Sequence, residues 1–449
     1  MRILSLALVA VLSGCAVKDV NENFSEILLQ NENRADVSIN TKWWQEYNKN
    51  YLNELIELGI KNNIDLAKAA VAINKAMAQA GVLEAELIPT FNASVEVERS
   101  RDISTNSSWT RTNASGISLN YEIDLFRKLA NARDAALWEA RATRFDLEAS
   151  KLSVINGIVD GYFNIAYLNE SIRYYKILLD NYEKLQQIVL VKFQSGKEEE
   201  LSLTKLQNYV ISTKTRLLNA QNELLTIEKN IKILLNVKPG FELKTDEILI
   251  SDIIPIGVDL EIPLESISTR PDLQAAIFRI EEGLLNLKAS QKDFYPSITI
   301  GASLRGSDEN FSDSFSMKFL SGNVSLNLPF LNYSKLKSNL KISEANFESA
   351  KLNYLSTLNT ALNEISTSYK SYEKDTRVFD NYVKQFDNTQ KISEIYNNKY
   401  QYGKAELKDY LEALNDQTDA YINLLSGKYN LLQDEIEIYQ AMAGKFTKR

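Results

Sequence analysis

The chain matches itself. Displaced by 207 positions, its second half falls on its first without a gap over a long stretch. Pro89 falls on Pro296, Gly196-Lys197 on Gly403-Lys404, and Asn208 on Asn415. Ser118-Leu119-Asn120 falls on Ser325-Leu326-Asn327, Asp65-Leu66 on Asp272-Leu273, Lys128 on Lys335, and Tyr162 on Tyr369. Coincidences of Pro, Gly and Asn at one displacement are much harder to obtain by chance than coincidences of Leu. A duplicated unit of about 170 residues follows, and any fold available to one half must suit the other.

Within each unit the hydrophobic period changes in the same order. Positions 50–87 follow a helical pattern with an alanine-rich stretch (Ala67, Ala69, Ala70, Ala72, Ala76, Ala78, Ala80), and 272–294 is its counterpart. Pro89 and Pro296 end these helices, because proline lacks the N–H and clashes with the preceding turn. Strict alternation follows. Phe91, Ala93, Val95 and Val97 alternate with Asn92, Ser94, Glu96 and Glu98, and 117–125 alternates again. In the second half Ile298, Ile300, Ala302 and Leu304 do the same, as do Val324, Leu326, Leu328 and Phe330. Two β-hairpins are expected, over 90–125 and 297–330, with polar loops at 102–115 and 306–322. Long helices are expected at 126–193 and 333–400, each on the order of 100 Å at about 1.5 Å per residue. Gln194-Ser195-Gly196-Lys197 and Gln401-Tyr402-Gly403-Lys404 break them. Return helices follow at 199–236 and 406–443. A short helix and a return helix together match one long helix in length, so stacking them end to end beside it is the natural packing. The first repeat therefore spans 51–236 and the second 265–443. Around them lie a leader at 1–14, a segment at 15–50, a linker at 237–264 and a tail at 444–449.

Composition narrows the chemistry. The 449 residues include 16 Gly and 7 Pro, few breakers for such a length, which agrees with long helices. There is no His and one Cys. That removes Ser-His-Asp and Cys-His nucleophiles, imidazole metal sites, intrachain disulfides and Cys-rich zinc sites. Four Met without His give no run suited to copper or silver. A net charge of −8 with interspersed basic residues argues against nucleic-acid binding. Paired carboxylates survive as possible catalysts, but no pocket motif accompanies them. The chain is expected to be no enzyme and to hold no cofactor or metal.

Arg2 and the apolar stretch 3–12, interrupted by Ser5, read as a secretory leader too short to cross a bilayer as a helix. Leu12-Ser13-Gly14-Cys15 resembles a bacterial lipobox, in which the cysteine becomes the lipid-bearing N-terminus. Cys15 is the expected lipidation site. Ala16 would then be the second mature residue, and by resemblance to lipoproteins it favours the outer membrane. No apolar run of about 18 residues follows, so no membrane helix is expected.

Each predicted strand has about 9 to 11 residues, enough to cross a bilayer when tilted. One face is apolar and the other carries Glu, Asp, Asn, Ser and Thr, which suits lipid outside and water within. Four strands cannot close a barrel, since the smallest closed membrane barrels need about eight. Open strand edges are forbidden in lipid. The barrel must be shared between subunits, and a trimer would supply twelve strands. Two surface hairpins on a soluble protein, or a lipid-anchored coiled-coil scaffold without a pore, are the alternatives.

At this point the chain resembles the TolC-like outer-membrane efflux proteins, and most of all their lipoprotein branch, which partners resistance–nodulation–division pumps. The matching residues are 12–15, Lys42-Trp43-Trp44, Lys61-Asn62-Asn63-Ile64-Asp65-Leu66, Tyr121-Glu122-Ile123-Asp124-Leu125-Phe126, Thr269-Arg270-Pro271-Asp272-Leu273, Leu326-Asn327-Leu328-Pro329-Phe330 and Tyr402-Gly403. The resemblance implies a mainly α fold with a transmembrane β part. In it a homotrimeric, twelve-stranded barrel continues into a long α-helical periplasmic barrel. It places an equatorial girdle at about 21–51 and 238–263. The tips at Gly196, Lys197, Gly403 and Lys404 would meet a periplasmic adaptor protein, itself joined to an inner-membrane transporter. Cargo would be drugs and other small toxic molecules. A type I protein secretion duct is a close alternative, differing in partner rather than architecture.

By the same resemblance, Asp409 and Glu412 would ring the closed periplasmic end. They are three apart and share a helix face, and their first-repeat equivalents are Ser202 and Lys205. Three copies would focus negative potential in the lumen. The arginine that some members carry after the tip glycine is Ala405 here, so a tip lock needs other contacts. Glu198-Glu199-Glu200 is expected to be a solvated cap, and Trp43 and Trp44 girdle packing. Residues 308–312 match an extended bacterial N-glycosylation pattern at Asn310.

Overall fold

A computed structural model of the chain describes residues 37–105, 107–245, 247–259 and 264–448. In chain order the elements are strand β1 (Val37–Asn40), helices α1 (Asn50–Asn62) and α2 (Ile64–Ala85), and strands β2 (Thr90–Ser100) and β3 (Thr110–Ile123). Helices α3 (Lys128–Gln194), α4 (Glu200–Leu234) and α5 (Pro271–Lys292) follow, then strands β4 (Ser297–Asp308) and β5 (Phe319–Asn327). Helices α6 (Tyr333–Gln401) and α7 (Leu407–Ala441) and strand β6 (Lys445–Lys448) complete the order. The long helices α3 and α6 have 67 and 69 residues, and the return helices α4 and α7 have 35 each, so the duplication holds at the level of whole elements. No described helix is long and apolar enough to cross a membrane.

The chain divides into two compact units. The first, 69–146 with 272–358, holds one antiparallel sheet in the order β2-β3-β4-β5. Its register places Phe91, Leu119, Ala302 and Gly322 side by side, and likewise Ile117, Leu304 and Leu320. The apolar positions of all four strands therefore share one face. Glu96, Glu98, Ser118, Asn120 and Ser303 share the other, because successive side chains alternate across a pleated strand. Every residue of β2 and β5, the two edge strands, is exposed. The helices of this unit are joined by Arg279 of α5, which reaches Glu139 and Asp146 of α3.

The ladders run further than the alternation predicts. Polar loops were expected at 102–115 and 306–322, yet β3 begins at Thr110 and β4 continues to Asp308. The added pairs Asn113↔Asp308, Ala114↔Ser307 and Ser115↔Gly306 carry no large apolar side chain. Main-chain bonding does not require apolar side chains, so the alternation ends before the strand does. The β4–β5 loop folds over this part of the sheet: Asn113 Nδ2 donates to the Glu309 carbonyl (2.7 Å) and Ser115 Oγ to the Ser314 carbonyl (2.7 Å). Gly306 makes the approach possible, since a Cβ there would lie 1.9 Å from the Ser314 oxygen.

The second unit, 37–68 with 147–271 and 359–448, carries the main core. Trp43, Leu52, Ile56, Ile158, Phe163, Ile231, Leu235, Ile253, Leu432 and Tyr439 are buried together. Trp43 packs on Trp44, Tyr47 and Tyr439 at ring separations of 6.0, 6.3 and 4.9 Å. The single helix expected over 50–87 is two helices, because Asn63 interrupts it. Asn63 Oδ1 accepts from the N–H groups of Asp65 (2.9 Å) and Leu66 (3.1 Å), which caps α2. Its Nδ2 donates to the Leu234 carbonyl at the end of α4 (2.9 Å). One side chain thus satisfies orphan groups of two helices.

Candidate functional site

The two tips are built alike. Gly196 and Gly403 have φ of 72° and 67°, the left-handed region where a side chain is strained. In the first tip the Gly196 N–H reaches the Phe193 carbonyl (2.9 Å) and the Lys197 N–H the Lys192 carbonyl (2.9 Å). In the second, Gly403 reaches Tyr400 (3.0 Å) and Lys404 reaches Lys399 (2.7 Å). This pair of bonds closes a helix whose next residue is left-handed glycine. Both glycines and Lys197 and Lys404 lie at turns between helices, with space around each glycine Cβ position.

The tips are tied to each other within one chain. Lys192, in the last turn of α3, pairs with Glu406, the N-cap of α7. Lys408 of α7 faces Glu198 at 4.0 Å, and Ser202 Oγ donates to Glu198 (2.8 Å). Glu198 is thus engaged across the repeats rather than a freely solvated cap. These contacts stand where Ala405 offers none. Beneath them Leu185, Val189, Leu203, Leu206 and Leu411 form a small core shared by α3, α4 and α7.

Asp409 and Glu412 lie in the first turns of α7 but differ in state. Asp409 accepts the Glu406 N–H (3.0 Å), and the Glu406 side chain takes the N–H of Asp409, a reciprocal capping box. Glu412 is exposed. Partial burial holds its carboxyl above the usual range; Lys408 opposes the shift, and Asp409, Asp416 and Glu198 add to it. The acids do not stop there. Asp409, Glu412, Asp416 and Asp419 recur at spacings of 3, 4 and 3, one continuous face of a helix. Asp419 is also raised, chiefly by burial, against the pull of Arg216 of α4 at 3.2 Å. The first-repeat equivalents of Asp416 and Asp419 are Tyr209 and Ser212. The row belongs to the second repeat alone, and its spacing was readable in the sequence.

Other side chains carry structural weight that the sequence did not reveal. Glu435 of α7 is 0 % exposed and accepts from Tyr47 Oη (2.8 Å) and from the N–H groups of Ile256 (3.2 Å) and Gly257 (2.7 Å). Glu170 of α3 accepts from Tyr421 Oη (2.8 Å) and the Ser251 N–H (3.0 Å). Asn169 donates to the carbonyls of Thr245 (2.6 Å) and Ile248 (3.2 Å). Together they clamp the 237–259 segment to the helices. Among the described residues no group of His, Cys, Asp and Glu is placed to hold a metal. Cys15 lies outside the described residues.

Comparison with known proteins fits this geometry. The sequence profile of the outer membrane efflux proteins matches residues 55–237 and 263–444, the two repeats. The chain belongs to the outer membrane efflux protein family. It is 32 % identical to the toxin and drug export protein A of Aggregatibacter actinomycetemcomitans, over 99 % of this chain and 98 % of that one. It is 23 % identical to the cation efflux system protein CusC of Escherichia coli K12, over 99 % of both. The Campylobacter jejuni CmeC outer membrane channel superposes with a TM-score of 0.80 at 24 % identity, covering 92 % of this chain and 89 % of that one. The fold class follows. It is mainly α with a transmembrane β part on a duplicated unit, four strands per chain and twelve in the trimer, with a long α-helical barrel. The family consists of outer-membrane channels rather than enzymes.

Proposed function

We propose that this efflux-family channel is the exit duct of a tripartite pump. It passively conducts drugs and other small toxic molecules received from a periplasmic adaptor and an inner-membrane transporter. The observation that carries this reading is the sheet. It has one apolar face, one polar face and two exposed edge strands. Such a sheet is tolerable in lipid only when its edges are closed by other copies around a wet lumen. The driving force would come from the partner transporter. The tips at Gly196–Lys197 and Gly403–Lys404 present exposed turns, the surface an adaptor would meet. The acidic row from Asp409 would face the lumen and favour cations as they pass. Cys15 would carry the lipid that anchors the protein.

A second reading has specific support. The relative of 32 % identity is named for export of a toxin as well as of drugs. The same duct could then serve a protein exporter, with a different inner-membrane partner. Deleting the chain in its host separates the two. Increased sensitivity to several unrelated toxic compounds supports the efflux duct. Unchanged sensitivity with the pumps active, together with loss of a secreted polypeptide, would move the assignment to protein export.

A further inference from the structure

Arg99 of β2 and Arg111 of β3 are directly opposed in the register, so both lie on the apolar face of the sheet. In β2 that face reads Phe91, Ala93, Val95, Val97, Arg99. Arg99 therefore follows an unbroken apolar column, about 26 Å along the strand from Phe91, a rise of roughly 20 Å for a strand tilted by about 40°. A membrane barrel's apolar band is about 25 Å tall, and an arginine costs little near its rim. Two like charges directly opposite each other destabilise a ladder unless something compensates them. Among the described residues neither Arg99 nor Arg111 pairs with a carboxylate. Glu96 and Glu98 of the same strand are on the other face. Asp102 is occupied by Ser104, whose N–H and Oγ donate to it (2.8 and 2.6 Å). Across the sheet, Asp308 and Asp313 are bonded to Asn310 of their own loop, while Glu309 stays exposed. Large aromatic side chains surround this end: Trp109 is 67 % exposed, and Phe311 and Phe315 form an exposed edge-on pair at 5.3 Å. An apolar column, an aromatic rim and two unneutralised guanidinium groups complement an acyl chain crowned by phosphate.

We propose that Arg99 and Arg111 form a site for the phosphate groups of the outer-leaflet glycolipid, the phosphorylated lipid A type. The inference rests on the duct reading, which puts the hairpin ends at the outer leaflet. Guanidinium is suited to bidentate phosphate binding, and a pair of them on adjacent strands can engage two phosphates on one lipid head. The bound lipid would relieve the repulsion between the arginines and fix the height of the barrel in the membrane.

The test uses the mature trimer in detergent, titrated with bis-phosphorylated lipid A, the same lipid stripped of phosphate, and phosphatidylglycerol. Wild-type protein is expected to bind the phosphorylated lipid A roughly tenfold or more tighter than either of the others. The double variant Arg99→Gln, Arg111→Gln should lose that preference, while Arg305→Gln, on the opposite face, should keep it. Equal binding of all three lipids by wild type, or a preference that survives the double variant, would overturn the site. Conductance of the same preparation in a planar bilayer distinguishes the failures. Conducting protein without lipid preference sinks the lipid site alone, and protein that neither trimerises nor conducts sinks the duct reading beneath it.

Discussion

Asp434 shows most plainly how one side chain can set a condition on the fold. It is 7 % exposed on α7 and faces Asp375 of α6, itself 8 % exposed. Burial pushes the Asp434 carboxyl up to about 7, with Asp375 accepting its proton and repelling its charge and Lys374 working against the shift. Its ordinary value is 3.8, so the folded chain holds this proton more tightly than the unfolded one. The stability it contributes is complete below the ordinary value and is lost as pH rises through about 7. Asp434→Asn should therefore melt a few degrees above wild type at pH 8 and close to it at pH 4, near the ordinary carboxyl value, followed by circular dichroism in detergent. A difference that is the same at both pH values would show that the pair shares no proton. Glu435, one residue on, is the contrasting case. Burial raises its carboxyl too, but Tyr47 and the N–H groups of Gly257 and Ile256 favour the charge. Adjacent acids on one helix thus serve as a proton-sharing pair and as a clamp for a distant segment. Composition could not distinguish them, because each role depends on what the other helices and the 237–259 segment bring to it.

At the level of elements, most of the architecture was legible. The displacement of 207 and the switch from helical to alternating period mark where both hairpins and the long and return helices lie, because each element buries or exposes a periodic face. What the pattern missed are places where polar side chains decide. Asn63 ends one helix and begins the next through bonds to backbone groups remote in sequence. Thr110 to Ser115 and Gly306 to Asp308 join the ladder by main-chain pairing beneath a folded-over loop. Asp409 and Glu412 are gate residues only by resemblance to the family, and in the helix they begin a row that continues to Asp416 and Asp419. Asp409 doubles as a helix cap. The row makes a prediction about conduction. Replacing Glu412, Asp416 and Asp419 by Gln, Asn and Asn should lower the cation-over-anion selectivity of single channels several-fold with the trimer intact. Asp409→Asn should in addition lower thermal stability by about 1 kcal/mol, since it weakens the capping box. Unchanged reversal potentials in the triple variant would place the row away from the lumen.

For the whole molecule, the sheet and the helices answer the same constraint. A chain with 27248 Å² of accessible surface leaves large apolar side chains exposed on both kinds of element. On the strands they include Phe91, Val95, Leu320 and Val324, and on α4 Ile211, Leu218 and Leu225, seven apart. A seven-residue repeat on an exposed helix face is the seam of helix-to-helix packing. Strand edges and helix seams both call for further copies of the chain, which is how the family builds its trimer. The most direct measurement is electron microscopy of the detergent-purified mature protein with averaging of the particles. The account predicts threefold-symmetric hollow tubes well over about 100 Å long, as the long helices require. Compact monomers or separate flexible rods would contradict it, since the four strands of each chain would then lie outside any shared barrel.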